Sequence, residues 1–219
     1  MVLALSGELR VDLAEAIAAR GTASFIVSGG KTPEPLFAQL SREELRWDSV
    51  WLGLADERWV DAADPESNEG LVRAMLLQGG AARAHFVGMK NPAQTPESGI
   101  DWAWRAMKRL PRPYDVVLLG MGEDGHFASL VPNSLGLLRA LDPASAPACV
   151  AMHSLATPHP RVSQNLSALL DSRRIVVMIR GEAKWSIFQR AKQVGPLAEL
   201  PIRAILNQQQ TPVDVFWSP

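Results

Sequence analysis

The apolar run Tyr114-Asp115-Val116-Val117-Leu118-Leu119 breaks into Gly120-Met121-Gly122-Glu123-Asp124-Gly125-His126-Phe127-Ala128-Ser129-Leu130-Val131-Pro132. A short run rich in valine and leucine predicts a buried strand of a parallel sheet. Three glycines then predict a sharp turn, because glycine reaches φ > 0 and lets the backbone approach a neighbour closely. The turn presents two carboxylates and a histidine within four residues. Histidine is the side chain best suited to proton transfer near neutral pH.

The same loop matches Gly-x-Gly-x-x-Gly at Gly120, Gly122 and Gly125, the fingerprint of dinucleotide sites. Two features oppose that reading. Glu123 and Asp124 put negative charge where a pyrophosphate would sit. The loop also lies mid-chain, whereas the fingerprint normally occupies the first strand–helix turn of its unit. A plainer reading is a tight strand-to-helix turn carrying a solvated His126.

The rest of the chain alternates strands and helices. Residues 6–20 predict a helix with Leu9, Leu13 and Ile17 inward, ended by Gly21. Ser24-Phe25-Ile26-Val27 predicts a strand running into Gly29-Gly30-Lys31-Thr32-Pro33. There Thr32 is the expected N-cap and Pro33 the first helical residue. Trp47 to Leu54 predicts a strand, followed by a charged loop at Asp56-Glu57-Arg58 and a polar loop over 61–67. Asn68 to Leu77 predicts a helix with Leu71, Met75 and Leu76 inward, and His85-Phe86-Val87 a short strand. Pro96 to Leu110 predicts a helix whose tryptophans belong to the core. Residues 133–147 read as a weakly patterned helix and linker. Cys149 to Met152, Ile175 to Ile179 and Pro212 to Trp217 predict strands, and Arg180-Gly181-Glu182-Ala183-Lys184 leads into a helix to about Ala191. This alternation gives an α/β class: a Rossmann-like, mainly parallel sheet flanked by helices. With 219 residues and no repeat or long linker, one domain over 1–219 is expected.

Charge and composition remove several function classes. The net charge of −1 leaves no nucleic-acid footprint in the total, although a local basic cluster can still bind a small anion. No apolar run reaches the length of a membrane span, and no membrane partner is expected. The N-terminus lacks the basic region and apolar core of a signal peptide, so cytoplasmic residence is expected. Cys149 is the lone cysteine and reads as an inert buried thiol. His85, His126, His153 and His159 form no ligand pair, so no metal site and no cofactor are expected. No Gly-x-Ser-x-Gly elbow is present. The oligomeric state is left open.

The informative regularity is positional. Gly29–Pro33, Asp56–Arg58, Gly120–His126 and Gly181–Lys184 each follow a predicted strand. Open α/β sheets bind ligands outside the carboxyl ends of their strands, so four parallel strands would bring these loops to one rim. Gly29, Gly30, Lys31 and Thr32 would then offer backbone N–H groups to an anion. Arg58 sits just past a buried strand, and its fork suits phosphate or a developing oxyanion. The alternatives are a routine capped turn at Gly29–Pro33 and a surface ion-pair cluster at Asp56-Glu57-Arg58. Pro158-His159-Pro160 would hold Arg161 extended toward an anion, or would be a plain connector. Lys184, in the first turn of a helix, opposes the helix macrodipole, so an anionic partner would make it intelligible. A solvated surface lysine is the alternative.

The central loop resembles the Gly-x-Gly-x-Asp-Gly-His-x-Ala-Ser-Leu-Phe-Pro signature of 6-phosphogluconolactonases. These share a fold group with glucosamine-6-phosphate deaminases and ribose-5-phosphate isomerases. Phe127 stands where threonine is usual, and Val131 where phenylalanine is usual. Gly29-Gly30-Lys31-Thr32-Pro33 is similar to the family's Gly-Gly-Ser-Thr-Pro, with Lys31 adding a positive charge. Asp56-Glu57-Arg58, Ser67-Asn68, Arg161-Val162-Ser163 and Lys184 resemble the remaining motifs, and the likeness runs in order from about residue 28 to 190.

The resemblance implies metal-independent hydrolysis of 6-phospho-D-glucono-1,5-lactone, a small sugar-phosphate lactone, by direct attack of water. His126 would be the general base, and Asp124 or Glu123 would orient it; the family keeps Asp124. Arg58 would stabilise the oxyanion. Gly29, Gly30, Lys31, Thr32, Asp56, Arg161 and Lys184 would hold the substrate and its phosphate. A deaminase or sugar-phosphate isomerase on the same fold, a non-catalytic sugar-phosphate sensor and an NAD-dependent oxidoreductase are the alternatives.

Overall fold

The computed structural model describes residues 1–154 and 158–219. In chain order its elements are α1 (Val2–Arg20), β1 (Ala23–Val27), α2 (Glu34–Leu40), β2 (Val50–Leu54), β3 (Asp56–Arg58) and α3 (Asn68–Met75). There follow β4 (His85–Val87), α4 (Pro96–Met107), β5 (Val116–Gly120), α5 (Leu137–Ala140), β6 (Cys149–Met152) and β7 (Arg161–Gln164). The remainder is α6 (Leu166–Leu170), β8 (Ile175–Arg180), α7 (Glu182–Ala191), α8 (Arg203–Leu206) and β9 (Val213–Ser218).

Six strands form one parallel sheet in the order β4-β2-β1-β5-β8-β9. The order runs outward from β1 in both directions, so β1 and β5 flank the topological switch point. A crevice opens there at the carboxyl ends of the strands. Phe25, Ile26, Leu52, Val117, Leu118 and Ile175 are buried, as a sheet covered on both faces requires. The α/β expectation holds for this sheet.

Helix α1 begins four residues earlier than the sequence predicts. Leu5 continues the buried stripe of Leu9, Leu13 and Ile17, and that packing carries the helix back to Val2. Its end is as expected: Gly21 takes φ 80° and its N–H closes on the Ile17 carbonyl. At α2 the expected cap is corrected. Pro33 is the N-cap and Glu34 the first helical residue, while Thr32 lies in the preceding turn and caps nothing. In α4, Trp104 packs against the core, but Trp102 is 50% exposed and is no core residue. Trp47 belongs to a short 3-10 turn ahead of β2 rather than to the strand.

A second sheet was not anticipated. β3, β7 and β6 form an antiparallel three-stranded sheet at the carboxyl end of the main one. Asp56-Glu57-Arg58 is therefore a strand and not a loop. Ala55 joins the two sheets, donating from N–H to the Val27 carbonyl at 2.9 Å and accepting from Gln164 N–H at 2.8 Å. Gln164 also donates to the Leu54 carbonyl and accepts from the Tyr114 hydroxyl. Of the expected connector 153–163, Leu155, Ala156 and Thr157 lie outside the described residues. Among the described residues no helix is long and apolar enough to cross a membrane.

Candidate active site

The ends of β1, β2, β5 and β8 supply the walls of one cleft of about 150 Å³. After β1 the backbone passes through Ser28 and Gly29, and Gly30 turns the chain with φ 97°. Ser28 N–H still bonds the Leu118 carbonyl of β5 at 2.9 Å, so the loop leaves the sheet at the switch point. Gly29 has a steric task. A Cβ there would lie 1.9 Å from Oδ1 of Asn68, so only glycine lets the start of α3 close onto this loop.

The second sheet brings two arginines to the cleft. Arg58 and Arg161 are directly opposite partners in the β3–β7 ladder. Arg58 Nη1 donates to the Glu66 carbonyl at 2.6 Å and to Asn68 Oδ1 at 3.0 Å. Among the described residues, its Nε and that of Arg161 are buried without a partner, as is the Ser28 hydroxyl. Buried donors left unpaired are costly, and three at one cleft point to an acceptor that a ligand brings. Burial pulls the Arg161 guanidinium below its ordinary value; Asp56 opposes this and Arg58 adds to it. The β3–β7 pairing holds Arg161 in place, with the Pro160 carbonyl accepting from Trp59 N–H at 2.8 Å.

Asp56 is buried beside these arginines and accepts from the Ser129 hydroxyl at 2.5 Å. That contact ties β3 to the loop after β5. Glu57 points away from the cleft and is fully buried. Burial pushes its carboxyl up to about 7, against the pull of three backbone N–H groups.

The loop after β5 is a tight turn: Gly122 N–H bonds the His126 carbonyl, and Gly125 N–H bonds the Gly122 carbonyl. Asp124 Oδ1 accepts from the His126 backbone N–H at 3.1 Å and lies 2.6 Å from Nδ1 of its ring. Between the two carboxylates of the loop, Asp124 makes this contact, and Glu123 is exposed. A Cβ on Gly122 would fall 2.2 Å from that ring nitrogen, so glycine is what allows the pair to fold back over the turn. Burial would raise the Asp124 carboxyl, but the His126 ring bond, its charge and its backbone N–H outweigh burial and hold it below 3.8. The next helix is α5, at Leu137, so the strand-to-helix turn of the plainer reading is corrected. The loop does not itself run on into a helix that would receive a pyrophosphate, which removes the main support for a dinucleotide site.

Of the residues singled out from sequence, Gly29, Gly30, Lys31, Thr32, Asp56, Arg58, His126, Arg161 and Lys184 all line the cleft. Asp124 stands behind His126. Sequence reasoning did not single out Ser28, Met121 or Ala128 as lining residues. Asn68 was noticed only as part of a motif. Ser28 had a usable signal, a hydroxyl between a buried strand and a glycine pair; Ala128, with φ 48°, had none. Lys31, Arg58, Arg161 and Lys184 face one carboxylate, Asp56, across the cleft, so it suits a dianion such as a phosphate monoester. Among the described residues no group of three or more His, Cys, Asp or Glu is placed to hold a metal. Cys149 is buried, and burial pushes its thiol up, so it is a poor nucleophile.

The family described as glucosamine-6-phosphate isomerases/6-phosphogluconolactonase matches residues 1–217. The chain belongs to this family. It is 43% identical over 219 residues to the 6-phosphogluconolactonase of Mesorhizobium japonicum, covering 100% of this chain and 91% of that protein. The crystal structure of a 6-phosphogluconolactonase from Shewanella baltica OS155 superposes with a TM-score of 0.96 at 45% identity, covering 100% of this chain and 93% of that one. A monomeric glucosamine-6-phosphate deaminase superposes with a TM-score of 0.76 at 18% identity, over 98% of this chain and 94% of that one. That last likeness concerns the fold alone. Family membership accordingly leaves both branches open on architecture, and the side chains of the cleft have to separate them.

Proposed function

We propose that this chain is a 6-phosphogluconolactonase, hydrolysing 6-phospho-D-glucono-1,5-lactone to 6-phospho-D-gluconate in the oxidative pentose phosphate pathway. The observation that carries the reading is a carboxylate-paired histidine facing a cleft with four cations and three unpartnered buried donors. With Asp124 on Nδ1, the proton of the neutral ring sits there and Nε2 is left as the basic nitrogen. Nε2 takes a proton from water as the water oxygen adds to the lactone carbonyl carbon. Negative charge gathers on the carbonyl oxygen, where Arg58 stabilises it. The intermediate collapses, the bond from that carbon to the ring oxygen breaks, and the His126 imidazolium returns the proton to the ring oxygen.

The Gly29–Thr32 backbone, Lys31, Arg161 and Lys184 hold the 6-phosphate, and this binding supplies the positioning. Asp56 is a poor partner for a phosphate. Its carboxylate suits the sugar hydroxyls, which need an acceptor. No step of this path uses a metal or a cofactor. The reading carries with it a single working domain over 1–219 and a cytoplasmic setting, where charge retains sugar phosphates. The test is a coupled assay of lactone disappearance, corrected for spontaneous hydrolysis. Acceleration that survives a chelator is expected; a rate equal to that of buffer would remove the reading.

A further inference from the structure

Glu57 is a buried carboxylate that the mechanism does not use. It does not line the cleft, yet its neighbours do. Oε1 accepts from the backbone N–H of Arg58 at 2.8 Å and of Asn68 at 2.7 Å. Oε2 accepts from the Glu69 backbone N–H at 2.7 Å and from the Ser67 hydroxyl at 3.1 Å. One carboxyl group thus binds β3 to the first turn of α3. A capping carboxylate is a common stabiliser of helix starts. What is unusual here is which residues share it.

We propose that Glu57 is a positioning residue, which sets the aim of Arg58 by clamping Arg58 and Asn68 to the same carboxylate oxygen. The chain of contacts is short. With its backbone held by Glu57, Asn68 donates from Nδ2 to the Asp56 carbonyl at 2.8 Å and accepts at Oδ1 from Arg58 Nη1 at 3.0 Å. The Glu66 carbonyl, one residue ahead of Ser67, takes the same Nη1 at 2.6 Å. Both acceptors of the guanidinium therefore lie in the segment that Glu57 anchors. Nε of Arg58 is left buried without a partner among the described residues. Asn68 also fills the space above Gly29, so the same clamp sets the distance between the two walls of the cleft.

All four neighbours of the Glu57 carboxyl donate. A glutamine at this position would set an amide NH2 against at least one backbone N–H, so Glu57→Gln should loosen the clamp while keeping the size of the side chain. Three of the four donors to Glu57 are backbone groups, and burial pushes its carboxyl up to about 7.

The inference rests on the lactonase reading, and a double-mutant cycle on lactone hydrolysis separates the two. Glu57→Gln, Arg58→Ala and the double variant are compared by kcat/KM. If Glu57 acts through Arg58, Glu57→Gln lowers kcat roughly tenfold or more in the wild-type background. It then costs less than about twofold once Arg58 is gone. KM and competition by inorganic phosphate should move less than kcat. An equal loss in both backgrounds, or full activity of Glu57→Gln, would overturn the proposal. Should Glu57→Gln not fold, Glu57→Asp keeps the charge on a shorter stem and goes through the same cycle. A wild-type protein without lactonase activity would instead remove the functional reading.

Discussion

Arg58 and Arg161 sit directly opposite one another across the β3–β7 ladder, two like charges at the closest spacing a sheet offers. Opposed like charges destabilise a strand pair by about 0.2–1 kcal/mol. Asp56, two residues from Arg58 on the same strand, offsets part of this. Arg161→Met should therefore leave the free protein as stable as wild type, or raise its thermal midpoint by about 1–4 °C. The same change should weaken substrate capture, raising KM more than it lowers kcat, and should blunt competition by inorganic phosphate. Lys184→Ala should share the kinetic effect without the gain in stability. Phosphate that competes equally well with all three proteins would show that the anion binds elsewhere.

His126 is reached by solvent and packs little of the core, so its removal should separate chemistry from folding. His126→Ala should lower kcat by roughly 10²–10⁴ while the thermal midpoint stays near that of wild type. A variant that turns over at the wild-type rate removes the general-base assignment.

The Asp124 carboxyl is held below its ordinary value of 3.8, chiefly by the His126 ring against the opposing effect of burial. A depressed folded value means that the unfolded chain binds the proton more readily. The Asp124 contribution is thus present above pH 3.8 and is lost as pH falls through the lower folded value. Asp124→Asn should be less stable than wild type at neutral pH, and the difference should shrink in acid. Thermal melts of the two proteins from pH 7 down to about 3 measure this. A gap that widens in acid contradicts the sign. At neutral pH, Asp124→Asn should also lower kcat, because the amide no longer selects the tautomer with the proton on Nδ1.

The two branches of the family differ in the flank of the histidine. Deamination requires ring opening and then proton abstraction beside a carbonyl, and each needs its own acid or base. This chain reads Ser129-Leu130-Val131-Pro132 after the loop, where deaminases continue to Phe-Asn-Glu-Pro. Val131 is buried against the core and brings no ionisable group to the cleft. A missing acid–base group costs about 10²-fold or more. Purified protein should hydrolyse the phosphogluconolactone and release no ammonia from glucosamine 6-phosphate. Ammonia released at a rate comparable to lactone hydrolysis would promote the deaminase branch.

Three of the rim loops, Gly29–Pro33, Gly120–His126 and Gly181–Lys184, were legible because their signals are local. A valine-rich run followed by glycine or charge marks a strand end wherever it occurs, and parallel strands place such ends on one side. The second sheet carries no such signal. Asp56-Glu57-Arg58 is three charged residues, and it becomes a strand only by pairing with Arg161-Val162-Ser163, about a hundred residues away. Thr32 looks like an N-cap because its side chain is of the right type, but the turn at Gly30 delays the helix until Glu34. The early start of α1 follows from Leu5 finding a buried place in the sheet's covering layer, which propensity alone does not report. Asp124 could be matched to His126 by likeness to a family; the exclusion of Glu123 needed the geometry of the turn.

The Gly181 turn, which begins α7 and so places Lys184, is held from outside by β9. Gly181 N–H bonds the Ser218 carbonyl at 2.9 Å, and the Trp217 indole N–H bonds the Gly181 carbonyl at 3.2 Å. A polypeptide emerging from the ribosome presents His126 and both arginines well before β9 is available to fix that turn. Until β9 docks, the turn that carries Lys184 lacks these two bonds, so a chain not yet made through β9 presents the cleft without a fastened Lys184.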